Sequence, residues 1–165
     1  MIIVISGVAG SGKSTIGKLL SDKTGWDFIE GDDYHSESSK IKMSKGIPLT
    51  DEDRIPWLRH LNNIILSHTN NNKPLILACS ALTEKYRNIL LHSISNPHLF
   101  WLEGDFDLVK SRIEGRTNHF FSSKLLQSQF ELAEQPINSI HVNIKMPPQV
   151  IVSSILSELS HKSHI

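Results

Sequence analysis

Hydrophobic and polar residues follow one another along this chain in blocks of two different lengths. The short blocks are mostly apolar and cover residues 2–6, 27–30, 75–79, 99–102 and 140–144, each bounded by glycine, proline, asparagine or charged residues. Apolar runs of this length are typical of strands that are buried on both faces of a sheet. We therefore predict five β-strands at these positions.

The longer blocks are amphipathic and predict helices. They cover residues 13–24, about 53–69, 81–91, 106–115, about 122–134 and 148–160. Strands joined by helices form a mostly parallel sheet with helices packed on both faces. The expected fold class is α/β, a three-layer α/β/α arrangement in a single domain that spans residues 1–165.

Composition excludes several classes of protein. The chain has 17 basic and 17 acidic residues, so its formal net charge is zero and we expect no nucleic-acid or membrane partner. The first ten residues lack a basic segment and are soon interrupted by glycine, so we expect neither a signal peptide nor a spanning helix. The single cysteine, Cys79, lies in an apolar run and indicates a buried thiol in a reducing compartment, and hence a cytoplasmic protein.

The sequence GVAGSGKST at residues 7–15 carries the strongest chemical signal. It matches the phosphate-loop pattern G-x-x-x-x-G-K-[ST] and lies directly between a predicted strand and a predicted helix. In such loops the backbone amides surround phosphate oxygens, the lysine reaches the β- and γ-phosphates, and the serine is a ligand of Mg²⁺. The predicted ATP-binding residues are Gly7, Ala9, Gly10, Ser11, Gly12, Lys13, Ser14 and Thr15, and Ser14 is also a predicted ligand of Mg²⁺.

A GTPase is disfavoured because its other motifs are missing. The one D-x-x-G sequence, DKTG at 22–25, lies at the end of the helix that follows the phosphate loop, too close to act as a switch. The sequence NKPL at 72–75 lacks the final aspartate of a guanine reader. A kinase or an ATPase therefore remains.

Carboxylates follow the second predicted strand in the sequence FIEGDDYH at 28–35. The carboxyl ends of parallel strands border the ligand crevice, so these groups face the nucleotide phosphates. Transfer of a phosphoryl group to a hydroxyl needs one carboxylate to orient the acceptor and take its proton, and another to support Mg²⁺. Asp32 is the candidate for the first role, and Glu30 or Asp33 for the second. The alternative is that these acids only cap the next helix.

Basic residues follow later strands. Arg54 and Arg87 are separated along the chain, whereas Arg112, Arg116 and His119 lie together in SRIEGRTNHF. Late arginines of phosphate-loop kinases commonly close over the nucleotide and stabilise the transferring phosphoryl group, so Arg112 is assigned to ATP and Arg116 to catalysis. Each arginine alone is typical of a solvated surface, but the set favours an anionic or polyhydroxylated acceptor.

The segment KGIPLTDEDRIPWL at 45–58 combines five charged residues with two prolines and a tryptophan. We predict that the prolines and Trp57 form a rigid entry into the following helix. Asp51 or Asp53 would then cap the amino terminus of that helix.

Taken together, these motifs resemble the small phosphate-loop gluconokinases, relatives of shikimate kinase and the nucleoside monophosphate kinases. The resemblance runs in order from residue 3 to about 136 and rests on GVAGSGKST, EGDDYH, KMSKGIPLTDEDRIPWL, ACSALTEKYR, WLEGDFDLVKSRIEGRTNHF and LLQSQFELAEQP. It implies the fold of those kinases with a helical lid at about 112–135. It also implies a homodimer and a role in carbohydrate metabolism.

The resemblance further implies a reaction in which ATP and D-gluconate give ADP and 6-phosphogluconate. Asp32 would then be the residue that takes the proton of the acceptor, and the residues around the sugar acid would be His35, Arg54, Arg87 and His119. Two positions depart from the family pattern, since Glu30 stands where Asp is frequent and Asn118 where Gly is frequent. Two alternatives remain: a kinase of another small acid such as shikimate, and a nucleotide-binding module without catalysis.

Overall fold

The computed structural model describes residues 1–115 and 122–162. Its centre is a five-stranded, fully parallel sheet in the order β2-β3-β1-β4-β5. The strands are β1 Ile2–Ser6, β2 Asp27–Glu30, β3 Leu75–Ala78, β4 His98–Glu103 and β5 Ile140–Asn143. The predicted α/β fold with a parallel five-stranded sheet is confirmed.

Helices cover both faces of the sheet. They are α1 Lys13–Thr24, α2 Glu37–Ser44, α3 Asp51–Asn70, α4 Glu84–Leu90, α5 Phe106–Glu114, α6 Ser123–Leu132 and α7 Pro148–Lys162, with a 3₁₀ helix at Gly31–Tyr34. The pattern of apolar residues predicts neither α2 nor the 3₁₀ helix, because both are short and largely polar. Within the described ranges, no helix combines the length and the apolar character that crossing a membrane requires.

Alternation along β1 divides the core into two layers. Ile3 and Ile5 pack with α1, α5, α6 and α7, whereas Ile2 and Val4 pack with α3 and α4. All four side chains are buried, and full burial of each stabilises the fold by about 1.5–3 kcal/mol. Cys79 is buried in the second layer, as the sequence predicts.

The amino terminus of α3 differs in detail from the expectation. Its N-cap is Thr50, not Asp51 or Asp53, because the Thr50 hydroxyl accepts from the Asp53 amide at 3.3 Å. The Asp53 carboxylate accepts in return from the Thr50 amide at 2.9 Å, which completes a capping box. Pro56 lies inside α3, so only Pro48 belongs to the entry of the helix.

Helix α4 begins three residues later than the apolar pattern predicts. Ala81 has a positive φ of 39°, which is outside the right-handed helical region. The first helical turn is instead capped by Thr83, whose hydroxyl accepts from the Tyr86 amide at 3.1 Å. Residues 80–83 thus form a loop at the carboxyl end of β3.

We expect Gly31→Ala to destabilise the protein, because a Cβ atom at this buried position would lie 2.6 Å from the backbone oxygen of Ala78. Forcing β2 away from β3 should lower the free energy of unfolding by about 1–3 kcal/mol, measured by urea denaturation. Gly115→Ala is the control, since its nearest neighbour would be the Ser111 oxygen at 3.4 Å. Equal midpoints for both variants would contradict the close packing at Gly31.

Candidate active site

The phosphate loop joins β1 to α1 and depends on glycine for its shape. Gly10 and Gly12 have φ values of 74° and 104°, in the left-handed region that disfavours other residues. A Cβ atom at Gly10 would also lie 2.6 Å from a side-chain carbon of Ile113 on α5. Glycine at these two positions therefore lets the loop turn tightly between β1 and α1, as the phosphate-loop motif requires.

Two side chains at the start of α1 face the sheet edge. Lys13 is buried and its Nζ donates to the Val8 carbonyl at 3.0 Å, so the ammonium group lies over the loop. The Ser14 hydroxyl donates to Oε2 of Glu30 at the end of β2. The structure thus brings Ser14 together with Glu30, one of the two carboxylates that the sequence offers for Mg²⁺, whereas the other, Asp33, is exposed on the 3₁₀ helix.

Glu30 is half-buried between unlike charges. Burial raises its pKa above the ordinary value of 4.5, the hydrogen bond from Ser14 lowers it, and the negative charge of Asp32 raises it again. The net shift is upward. Lys13 already provides one positive charge near this carboxylate. A cation bound beside it would further favour its ionised form.

Asp32 lies on the 3₁₀ helix, and its carboxylate Oδ1 is 3.7 Å from Nε2 of His35. The protein atoms around its carboxylate displace water and so raise its pKa, although 63% of the side chain stays accessible to solvent. The interactions with His35 and with the charge of Lys13 outweigh that effect, so the pKa of Asp32 lies below its ordinary value of 3.8. Asp32 is therefore an ionised hydrogen-bond acceptor at neutral pH.

The contacts of Trp57 explain why the polar segment at 45–58 contains an aromatic residue. Its indole Nε1 donates to the Gly31 carbonyl at 2.8 Å, and its ring stacks on His35 with centroids 4.0 Å apart. These contacts attach α3 to the 3₁₀ helix that carries Asp32. Within residues 1–115 and 122–162, Nδ1 of His35 is buried and has no hydrogen-bond partner.

Arg54 is held in place by its neighbours. One guanidinium nitrogen donates to the Leu49 carbonyl at 2.5 Å and to the Tyr86 hydroxyl at 3.3 Å. The guanidinium carbon lies 5.5 Å from the Tyr86 ring centroid, and the Tyr86 hydroxyl donates to Asp51 at 2.6 Å. Asp51 thus helps to position the arginine and does not cap α3.

A cavity beside the phosphate loop joins these groups. Its lining consists of Ala9, Lys13, Asp32, His35, Met43, Leu49, Arg54, Trp57, Ser80, Leu82, Leu125 and Gln129. Lys13, Asp32, His35 and Arg54 were identified from the sequence, and the cavity brings them together. Gln129 was not singled out individually, although it lies within LLQSQFELAEQP, one of the segments that carried the resemblance.

A second cavity lies on the other side of the phosphate loop. It has a volume of about 300 Å³ and is lined by Gly10, Ser11, Gly12, Thr15, Ile16, Arg112, Gly115, Ile144, Met146, Pro148 and Ile151. Arg112 donates to the Ile144 carbonyl at 2.5 Å, which connects α5 to the end of β5. The predicted nucleotide residues thus contribute to two cavities that share one loop.

Three residues that the sequence predicts for the site do not line either cavity as the structure describes it. Arg87 is buried and donates to the Ala81 and Leu82 carbonyls at 3.0 and 3.1 Å, so it supports the cavity wall but does not line the cavity. Arg116 and His119 lie outside the described residues. The binding and catalytic roles of all three stay predictions.

Lys42 on α2 binds both carboxylate oxygens of Asp53, at 2.8 and 2.9 Å. This ion pair joins α2, which contributes Met43 to the first cavity, to the amino terminus of α3. Hydrogen bonds from Lys42 and from the Thr50 amide lower the pKa of Asp53 to about 2.

Comparison with known proteins identifies relatives over nearly the whole chain. Residues 9–159 match the family model described as shikimate kinase. A probable gluconokinase from Mus musculus is 40% identical over 96% of this chain and 97% of its own length. The thermosensitive gluconokinase of Escherichia coli is 42% identical over 81% of this chain and 71% of its own length.

A solved gluconokinase structure from Sinorhizobium meliloti superimposes with a TM-score of 0.85. The match is 36% identical and covers 99% of this chain and 97% of that one. The fold of the solved structure is thus the fold described above. The resemblance deduced from the sequence motifs is confirmed.

We expect Asp53→Asn to lower stability at neutral pH and to have no effect in strong acid. A carboxylate with a lowered pKa stabilises the folded state above its ordinary pKa of 3.8 and loses that contribution as the pH falls through about 2. Wild type should therefore unfold at higher urea concentration than the variant at pH 6, and the gap should close between about pH 4 and pH 2.

The exposed Asp22 near the end of α1 supplies the charge control, as Asp22→Asn. Added salt should shrink the Asp53 effect, because the Lys42 side chain of the pair is 39% exposed. A gap between wild type and Asp53→Asn that is constant from pH 6 to pH 2 would contradict the assigned ion pair.

Proposed function

We propose that this chain, which belongs to the gluconokinase family within the shikimate kinase group of phosphate-loop kinases, transfers the γ-phosphoryl group of ATP to D-gluconate. The products are ADP and 6-phospho-D-gluconate. The observation that carries the proposal is the single cavity in which Lys13 of the phosphate loop faces Asp32 and Arg54. The names of the relatives supply the acceptor, since the Mus musculus and Escherichia coli proteins are both described as gluconokinases.

ATP binds with its phosphates in the loop at residues 7–15. Amides of the loop other than that of Ala9, which donates to Gln129, surround the phosphate oxygens together with the amino terminus of α1. Lys13, over the loop, contacts the β- and γ-phosphates. The second cavity continues outward from Gly10, Gly12 and Thr15 and accommodates the nucleoside beside Arg112.

The residues present fit a Mg²⁺ ion. Ser14 and Glu30 offer a hydroxyl and a carboxylate oxygen that touch each other, and Mg²⁺ prefers oxygen ligands, with one or two carboxylates completed by phosphates and water. When bound, the ion offsets the negative charge of the β- and γ-phosphates. The side chain of Glu30 is longer than that of the aspartate frequent in the family. It reaches the phosphate loop, where it contacts Ser14.

Gluconate occupies the first cavity. Arg54 has several N–H groups beyond those given to Leu49 and Tyr86, and a guanidinium binds a carboxylate with two parallel hydrogen bonds. Asp32 accepts the hydrogen bond of the reacting hydroxyl and takes its proton as the phosphoryl group moves. Its low pKa suits a reaction whose transition state is loose, because the proton then leaves late.

The remaining roles rest on the family resemblance. They are contacts of His35, Arg87 and His119 with the acid, catalysis by Arg116 within a lid at about 112–135 of a single domain, and assembly as a homodimer. A cytoplasmic location and a place in carbohydrate metabolism agree with the single buried thiol and with the substrate.

A second acceptor is favoured by one observation. The matching family model is described as shikimate kinase, and shikimate is also a small hydroxylated acid. The charged residues that line the first cavity suit a small anionic acceptor without distinguishing one acid from another, so shikimate belongs in any test of specificity.

A coupled ADP-release assay with Mg-ATP tests the proposal. The acceptors are D-gluconate, other aldonic acids, shikimate and nucleoside monophosphates. We expect turnover confined largely to gluconate. Preference for another acid would show that the acceptor is that acid and not gluconate. ATP binding without turnover on any acid would indicate a nucleotide-binding module.

Asp32→Asn should lower kcat by about 10²- to 10⁴-fold while ATP affinity stays near the wild-type value. The change removes proton acceptance but leaves the phosphate loop intact. Steady-state kinetics and ATP titration measure the two quantities separately. Asp27→Asn, at the opposite end of β2, is the control and should retain turnover. An unchanged kcat in Asp32→Asn would remove Asp32 from catalysis.

A further inference from the structure

Gln129 on α6 makes a contact with the phosphate loop that the proposed mechanism does not use. Its side-chain Oε1 accepts from the backbone amide of Ala9 at 2.8 Å, across 120 positions of sequence. Both residues line the first cavity together with Asp32 and Arg54. The carboxamide therefore bridges the nucleotide side and the acceptor side of the site.

The chemistry of this contact fixes the orientation of the amide. A backbone N–H can only donate, so the oxygen of the carboxamide must face Ala9 and Nε2 must face the other way. In the part of the chain that the structure describes, no group accepts a hydrogen bond from Nε2 of Gln129. Two donors in a partly enclosed cavity are thus available to a ligand.

The position of the side chain is set by the packing of α6. Leu125 lies one turn earlier, so it shares a helix face with Gln129, and it is 3% exposed. Gln127 on the outer face shows the contrast, because it is exposed and donates to Glu131 of its own helix at 3.0 Å. Gln129 thus lies on the inward face of α6, and its carboxamide is tied to the phosphate loop.

We propose that Gln129 determines acceptor specificity by donating from Nε2 to one hydroxyl oxygen of the bound acid. The tie to Ala9 orients this donor, and a neutral amide suits a hydroxyl oxygen, whereas Arg54 suits the carboxylate. The inference rests on the proposed function, because it needs a polyhydroxylated acceptor in the first cavity.

Gln129→Met tests the inference, with D-gluconate and a set of analogues that each lack one hydroxyl. In wild type, loss of the contacted hydroxyl should lower kcat/KM by roughly tenfold or more, since it leaves a donor unpaired. In Gln129→Met, turnover of gluconate should fall by a similar factor, and the preference at that one position should disappear. The preferences at the other positions and the KM for ATP should stay within about threefold of wild type.

Two further variants separate specificity from a structural role. Gln127→Met makes the same change on the outer face of α6 and should keep the wild-type profile. Gln129→Glu keeps an acceptor for the Ala9 amide but offers no donor, so it should melt near the wild-type temperature and still lose the preference.

The outcomes distinguish this inference from the function on which it rests. Gluconate turnover in wild type combined with an unchanged analogue profile in Gln129→Met and Gln129→Glu would overturn the inference alone. A change confined to the KM for ATP would also overturn it, because the tie would then serve the nucleotide. A wild-type protein that phosphorylates no gluconate would remove the proposed function and this inference together.

Discussion

Ala78, at the end of β3, pairs with Ile5 of β1 on one side and with Glu30 of β2 on the other. This register places the start of the phosphate loop and the carboxylates after β2 at the same edge of the sheet. Strands in a sheet are about 4.8 Å apart, so two steps across β3 leave a gap that side chains can span. The hydrogen bond from Ser14 to Glu30 spans the gap, and Lys13 and Asp32, close to these two residues in sequence, lie at the same edge.

The charges of the site balance one another within that edge. Burial raises the pKa of Glu30 and the negative charge of Asp32 adds to that rise, whereas His35 and Lys13 hold the pKa of Asp32 below its ordinary value. The two carboxylates therefore differ although they are two residues apart. Glu30, which contacts Ser14, would become more readily ionised when a cation binds beside it. Asp32, beside His35, is ionised and can accept a hydrogen bond from the substrate.

The local sequence pattern was sufficient to predict the strands and the phosphate loop. The apolar runs predicted the strands, and the glycines at 7–12 with Lys13 and Ser14 predicted the loop, because its shape depends on consecutive residues. The carboxyl-edge rule then predicted that Glu30 and Asp32 approach that loop. These steps need only sequence spacing and the geometry of a parallel sheet.

Tertiary packing decided what the pattern could not predict. Helix α2 has too few apolar residues to show a helical repeat in the sequence. At the start of α3 the sequence offers Thr50, Asp51 and Asp53 as caps, and the fold uses Thr50. The direction of Arg87 follows from the left-handed turn at Ala81, which no motif indicates. The contact between Gln129 and Ala9 joins residues 120 positions apart, and no local spacing encodes it.

The proposed function is transfer of a phosphoryl group to gluconate at the hydroxyl that Asp32 orients. Product analysis by ³¹P NMR, after incubation of the protein with Mg-ATP and uniformly ¹³C-labelled D-gluconate, tests this most directly. We predict one new phosphomonoester, with ³¹P–¹³C coupling that assigns the phosphate to the C6 oxygen. A phosphate on another carbon, or ATP consumed without any phosphorylated acid, would contradict the proposed function.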